Sequence, residues 1–248
     1  MSALRHAVGR LLPQKYKLLY FVRKKAKRRG RPIEKIVLRL LCDPARVAID
    51  VGANIGTVSY FLSRYCRETH AFEINPLLAE KLRRAKLRHT VIHEIGLSDC
   101  ARTARLRIPV AAYGPVFGNA TIEAANDLDA RPVTELDVTV ARLDDFAIAD
   151  VAILKIDVEG HELPVLLGAG RLLARDHPSL IVEIVEDNNG VSFARILEFL
   201  KSLSYRCYRL SDNELFEVTA AQNRKGDNDY YFLLPAVAAR VNAALAAP

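Results

Sequence analysis

From residue 46 onward the chain alternates short β-branched apolar runs with longer stretches of helical period. Residues 46–51 predict a strand and 55–66 a helix. A short strand over 70–73 leads to a helix from Pro76 to about Leu87, with proline in its first turn. Residues 90–99 read as a third strand running into a loop. The pattern loosens over 103–141, where "RLRIPV" and "LDVTVARL" look like strands around the Gly/Asn-rich "YGPVFGNAT". It then tightens into a strand over 151–157, a helix over 162–174, a strand over 179–184 and a helix over 192–203. Two further strands near 205–210 and 229–234 precede an alanine-rich helix candidate, "AVAARVNAALAA". Strand and helix alternating at this spacing imply an α/β fold, a mostly parallel sheet with helices on both faces. Such sheets bind ligands beyond the carboxyl ends of their strands. Asp50, Glu73, Asp99, Asp157 and Glu183 all fall at strand ends, which points to one site.

Length and composition sharpen this picture. At 248 residues, half of them hydrophobic and 26% charged, the chain suits one packed domain with an extension and not a disordered protein. No run of eighteen apolar residues suggests a spanning helix, and Arg5, Arg10, Lys15 and Lys17 interrupt any signal-peptide core. Cys42, Cys66, Cys100 and Cys207 are far apart in sequence, with no Cys-x-x-Cys pair, so free thiols in a reducing, cytoplasmic setting are expected.

The net charge of +7 divides unevenly. Residues 1–35 carry 12 Lys/Arg against the single acid Glu34, whereas residues 36–248 carry 24 against 28 acids and are mildly acidic. A basic N-terminal extension, 1–35, is therefore set apart from the domain, 36–248. Its densest run, "RKKAKRRGR", reads first as a solvated charge cluster. Docking to anionic lipid or a lipid-linked glycan comes next, since the apolar "LLYFV" precedes the run; residues 11–31 would then make a peripheral contact at the inner face of the membrane. Nucleic acid fits less well, because an acidic body repels phosphates.

The turn "DVGANIG" separates two cofactor classes. A dinucleotide fold wants Gly-x-Gly-x-x-Gly, but counting from Gly52 this chain has Asn54 and Thr57 where glycines belong. An NAD-dependent oxidoreductase is disfavoured accordingly. The S-adenosylmethionine (SAM) turn, Gly-x-Gly-x-Gly preceded by an acid, is matched by Asp50, Gly52 and Gly56, with Asn54 at the middle glycine. Asn tolerates the left-handed region better than most residues. Glu73, 23 residues after Asp50, suits a ribose diol.

"AIDVGANIG", "AFEINP", "EIGLSD", "LKIDVEGHE" and "PSLIVEI", in that order and spacing, resemble the FkbM family of SAM-dependent methyltransferases over about residues 45–235. The resemblance implies a class I methyltransferase fold (Rossmann-like) of about seven strands, the last antiparallel. It also implies O-methylation of hydroxyls on sugars, glycans, glycolipids or natural products. By position, Asp50, Gly52, Asn54, Gly56, Glu73 and Asp99 would hold SAM, and Asp157, Glu159 and Glu162 would fall in the active-site motif.

Methyl transfer needs a hydroxyl held in line with the methyl group and a base to take its proton. "KIDVEGHE" offers Asp157, Glu159, His161 and Glu162. Asp157 is the favoured base or orienter, and His161 the second choice for its unperturbed pKa. Glu162 also reads as an ordinary first-turn acid. Glu159 and Glu183 offer, with Asp157, hard oxygen ligands for a divalent metal such as Mg²⁺ or Ca²⁺. His70, His89, His93 and His177 are scattered and read as structural or exposed. The "FGNATIE" loop is a candidate cover for the substrate. Two rivals remain. An RNA ribose 2′-O-methyltransferase is prompted by the basic extension, but the helix after Asp157 holds no lysine. A non-catalytic glycan- or membrane-binding module on the same fold sits poorly with intact strand-end acids.

Overall fold

The apolar run Val47–Val51 forms β1, buried at every position, inside an eight-stranded sheet. A strand covered on both faces shows no polar side, which is why its sequence does not alternate. This is a computed structural model, and it describes residues 32–112, 114–124, 128, 131–184, 193–219 and 228–247. Residues 1–31, with the expected membrane contact, lie outside them. β2 (Glu68–Phe72) and β8 (Val151–Ile156) flank β1, with β3 (Thr90–His93) and β9 (Ser179–Glu183) beyond them, all five parallel. β12 (Asp229–Leu233) pairs antiparallel with β9, and β10 (Arg206–Ser211) antiparallel with β12. β11 (Glu214–Glu217) closes that edge as a hairpin with β10. The expectation of about seven strands was one short. The missing strand is β11, joined through Asp212 and Asn213, both in the left-handed region (φ 48° and 64°), the geometry that matches a tight hairpin to strand twist.

Alternation in β1 divides the core in two. Val47, Ile49 and Val51 face one cluster with α4 (Glu162–Leu167), α5 (Gly170–Asp176) and α6 (Phe193–Ser202). Ala48 faces the other, with α1 (Pro32–Leu41), α2 (Thr57–Tyr65) and α7 (Pro235–Ala246). Helix α1 crosses the boundary expected between residues 35 and 36.

Two further differences shape the site. The irregular segment 103–141 joins β4 (Gly96–Leu97) in a second sheet of order β4-β7-β5-β6, with β5 (Arg102–Ala111), β6 (Gly114–Pro115) and β7 (Val133–Ala141). The helix expected over 162–174 is broken into α4 and α5. A Cβ at Gly168 would lie 2.0 Å from the Ser98 carbonyl oxygen, so the chain passes there only as glycine. That approach ties the helical layer to the end of β4.

Candidate active site

The turn after β1 is fastened to the end of β2. The amides of Gly52 and Ala53 donate to the Phe72 carbonyl, both at 3.0 Å. Asn54, left-handed at φ 53°, donates its N–H to Glu73 Oε2 at 2.6 Å. The other oxygen of Glu73 accepts the Asn75 N–H at 2.8 Å. One buried carboxylate thus holds both the turn and the cap of α3 (Pro76–Ala85), whose Asn75 side chain accepts from Leu77. Burial nevertheless pushes the Glu73 carboxyl up to about 7, against those two N–H groups. Gly52 has φ 78°, and a Cβ there would sit 1.8 Å from the Asp157 carbonyl oxygen. The glycine therefore lets the turn touch the end of β8.

Between these strand ends lies a cavity of about 250 Å³. Its lining includes the apolar Phe72, Ile74, Leu78, Ile95 and Leu97 and the acidic Glu73, Asp157, Glu159 and Glu183. Phe117, Gly118, Ala120, Thr121 and Ile122, from the predicted cover loop, form a roof. Lys81 of α3 lies over the Phe117 ring at 5.1 Å. Glu159 adopts φ 51°, an uncommon backbone state for a side-chain-bearing residue, and its carbonyl accepts the Thr121 hydroxyl at 2.9 Å. Burial, together with the charges of Asp157 and Glu183, pushes the Glu159 carboxyl up to about 8. Cysteine, histidine and acidic side chains form no group of three able to hold a metal among the described residues. Asp157, Glu159 and Glu183, offered by the sequence as possible ligands, line the same cavity. A cation of the chain's own stands there: Lys155, almost fully buried, donates to Asp229 at 2.7 Å and lies 3.8 Å from Glu183. Burial alone would lower its pKa, but the charges of Asp229, Asp157 and Glu183 carry it above the ordinary lysine range.

His161 lines the cavity, yet both its ring nitrogens are occupied. Nδ1 contacts Glu123 Oε1, and Nε2 lies 2.9 Å from the buried Ser98 hydroxyl. Glu123 follows the roof, and its N–H donates to the Thr121 hydroxyl at 3.1 Å. The hydrogen bond from His161 holds the Glu123 carboxyl below its usual range. A free general base at His161 is thus not what the geometry provides. Glu162 is buried at the start of α4 and accepts the Gly160 N–H at 2.9 Å, acting as a local cap. Burial raises its carboxyl to about 7.

Of the expected site residues, Gly52, Asn54, Glu73, Asp157, Glu159, His161 and Glu183 line one cavity. Three expected cofactor residues do not. Asp50 points to the opposite side of β1 from Val51 and accepts the Ser59 hydroxyl of α2; burial raises its carboxyl to about 6. Gly56 faces α3, where a Cβ would meet Leu82 at 2.3 Å, so helix packing accounts for this glycine. Asp99 is exposed, just after Ser98 donates its N–H to Ala141, the last residue of β7. Sequence reasoning had Glu123 inside the "FGNATIE" loop and Ser98 inside "EIGLSD" without giving either a role, and it missed Lys155. Lys155 had a signal of its own, a charged residue inside a wholly buried strand. Of the scattered histidines, His70 and His93 meet at 3.0 Å between neighbouring strands.

Residues 50–207 match the family model described as Methyltransferase FkbM domain. A curated "rRNA methyltransferase" from Streptomyces thermotolerans is 35% identical over 78 residues, 31% of this chain and 26% of the relative. The match thus spans about a quarter of that relative's length. Among solved structures, methyltransferase FkbM from Methylobacillus flagellatus KT is 16% identical, with 77% of this chain and 44% of that chain covered and a TM-score of 0.46. SMU.1697c, a putative methyltransferase from Streptococcus mutans in complex with SAH, is 14% identical, with 82% and 96% covered and a TM-score of 0.45.

Proposed function

The chain belongs to the FkbM methyltransferase family, and from that premise we propose that it is a SAM-dependent O-methyltransferase acting on a neutral, hydroxyl-rich acceptor such as a sugar, a glycan or the glycan of a glycolipid. The observation that carries this reading is the set of acids Glu73, Asp157, Glu159 and Glu183 lining one cavity together with apolar side chains. Carboxylates accept hydrogen bonds from hydroxyls and repel phosphates.

The residues present fit the cofactor. Glu73, with its two oxygens already oriented by backbone amides, would accept from the ribose hydroxyls. Ile74, Leu78, Ile95 and Leu97 would cover the adenine, and the close-packed turn at Gly52 and Asn54 would bound the amino-acid part. When bound, SAM supplies a methyl group activated on a sulfonium.

The chain's own work is to hold the acceptor hydroxyl and receive its proton. Asp157 is the base in this reading. Glu159, raised to about 8, keeps its proton at pH 7 and is a donor to the acceptor oxygens. A correctly placed base is worth on the order of 10²–10⁴ in rate.

A second reading, RNA methylation, draws support from the Streptomyces relative's name and from the basic residues 1–35. The acidity of the cavity weighs against it. Incubation with methyl-labelled SAM and cell extract split into glycan, lipid, RNA, protein and small-molecule fractions separates the two, with Asp157→Asn as control. Label in glycan, glycolipid or a small hydroxylated product, lost in the variant, supports the first reading; label in RNA overturns it.

A further inference from the structure

At the amino ends of β2 and β3, the edge of the main sheet opposite the active-site cavity, the ends of α2 and α3 border a second cleft of about 550 Å³. Arg64, Arg67, Lys86, Arg88 and His89 line it together with Tyr60, and among the described residues no aspartate or glutamate does. The five basic residues are exposed. Arg64 lies over the Tyr60 ring at 5.7 Å, Arg67 reaches Asp150 at 3.3 Å, and Lys86 and Arg88 have no carboxylate partner among the described residues. The acids close by in sequence are engaged elsewhere: Glu68 meets His70 at 2.9 Å, and Glu80 binds Arg84 at 2.7 Å.

Cations are ordinary at helix C-termini, where the backbone dipole ends in partial negative charge. The charge here exceeds that need. Two helix ends, at about half a charge each, and Asp150, which Arg67 shares with Arg46, offset about two of the four Lys/Arg charges. Lys86 also holds the left-handed end of α3 at φ 49°, where glycine is the usual residue.

We propose that this cleft is a binding site for a phosphate group, carried by a lipid headgroup or by a small soluble compound. A phosphomonoester carries about −1.5 to −2 at pH 7, which matches the charge left uncancelled; a carboxylate carries too little. Guanidinium groups bind phosphate oxygens in pairs, and the Tyr60 hydroxyl, 3.4 Å from Arg64, is a further donor. Lys35 of α1 lies over the Phe61 ring at 5.9 Å, and Phe61 meets Tyr60 edge-on at 5.8 Å. The helix that follows the cationic residues 1–31 therefore packs beside the cleft. RNA suits the site less, because the charge is confined to one cleft of a mildly acidic domain. The site shares no lining residue with the cavity, goes beyond the methyltransferase reading and stands without it.

The test is an NMR titration of the full chain with inorganic pyrophosphate, read at the backbone amides of 63–67 and 85–89. Shifts are expected there, with binding at least about tenfold weaker in Arg64→Gln/Lys86→Gln/Arg88→Gln, since a hydrogen bond to a charged group is worth about a factor of ten or more. Arg195→Gln/Lys201→Gln/Arg240→Gln removes equal charge from exposed positions on α6 and α7 and should bind as wild type does. Two arms give the source: vesicles of phosphatidylcholine mixed with phosphatidate, and glycerol 3-phosphate in solution. Vesicle binding lost in the cleft variant alone assigns a headgroup; cleft shifts with glycerol 3-phosphate assign a soluble phosphate. Either result supports the site. Shifts confined to residues 1–35, or equal weakening in both variants, would overturn it. A response to pyrophosphate with none in either arm would mean an inorganic anion trap and overturn it too. So would a single-stranded RNA that needs the cleft residues while pyrophosphate leaves them unmoved.

Discussion

Replacing Glu73 by glutamine keeps the shape of the side chain and removes its charge. In the native site each carboxylate oxygen accepts one backbone N–H, from Asn54 at 2.6 Å and Asn75 at 2.8 Å. Glutamine has a single acceptor oxygen, so one of those N–H groups would face an NH₂ group. A hydrogen bond to a charged group is worth about 1.5–3 kcal/mol. If Asn54 loses its partner, the left-handed turn loses one of the three bonds fastening it to the end of β2. The ribose loses an acceptor in the same step. Together these should weaken S-adenosylhomocysteine binding by about 10–100-fold, since about 1.4 kcal/mol is a factor of ten.

The native carboxyl, raised to about 7 by burial, adds a pH signature. Only the ionised form accepts from both ribose hydroxyls, so wild-type affinity should rise as pH passes through about 7. The glutamine variant should be flat. Isothermal titration of S-adenosylhomocysteine at pH 5.5, 7 and 8.5 reads both effects. Binding by the variant within threefold of wild type at pH 8.5, or a flat wild-type profile, would refute the assignment of Glu73 to the ribose.

Asp157→Asn should bind S-adenosylhomocysteine within a few-fold of wild type and lose about 10²–10⁴ in turnover; normal turnover would end its role as base. Gly168→Ala should destabilise the fold by at least about 2 kcal/mol, because its Cβ would press on a backbone oxygen that cannot give way easily. A thermal melt should then fall by roughly 4–8 °C, and an unchanged melt would mean that α4 and α5 can separate from Ser98. Asp50 at about 6, Glu73 and Glu162 at about 7, and Glu159 at about 8 all stand above the ordinary carboxyl values of 3.8 and 4.5. A raised folded-state value gives stability that is complete below the unfolded value and is lost as pH rises through the folded one. The ligand-free protein should therefore melt highest near pH 5 and progressively lower towards pH 8. A melting temperature that rises over that window would contradict the burial of these acids.

The parallel half of the sheet was legible because strands buried on both faces, such as β1 and β8, are continuous apolar runs bounded by turns and helices. The Glu73 position was legible for a related reason: an acid at a strand's carboxyl end has few purely structural uses. Asp50 looked the same in sequence. Its difference comes from side-chain alternation: one step along β1 turns the carboxylate from the cavity to Ser59 of α2, and no local pattern records that choice. The break between α4 and α5 was hidden because residues 162–174 keep their apolar residues on both sides of Gly168. What forbids a side chain there is the carbonyl of Ser98, 70 residues away in sequence. Glu123 and Ser98 reach His161 across separations of 38 and 63 residues, through a second sheet whose strands were visible but whose docking was not.

The charge balance of the site follows from these buried contacts. Glu73, Asp157, Glu159 and Glu183 could not all ionise around one cavity without strong mutual repulsion. The chain meets this in two ways. Lys155 lies between Asp229 and Glu183 as a permanent counter-charge, and burial keeps Glu159 protonated at neutral pH. A cationic ligand entering such a cavity would favour ionisation of the raised carboxyls and release protons. Binding of SAM, a sulfonium, should therefore release more protons near pH 7 than binding of its neutral-sulfur product. Titrating both ligands in buffers of different ionisation enthalpy measures that difference. Equal proton release for the two would mean that these carboxyls do not sense the sulfonium.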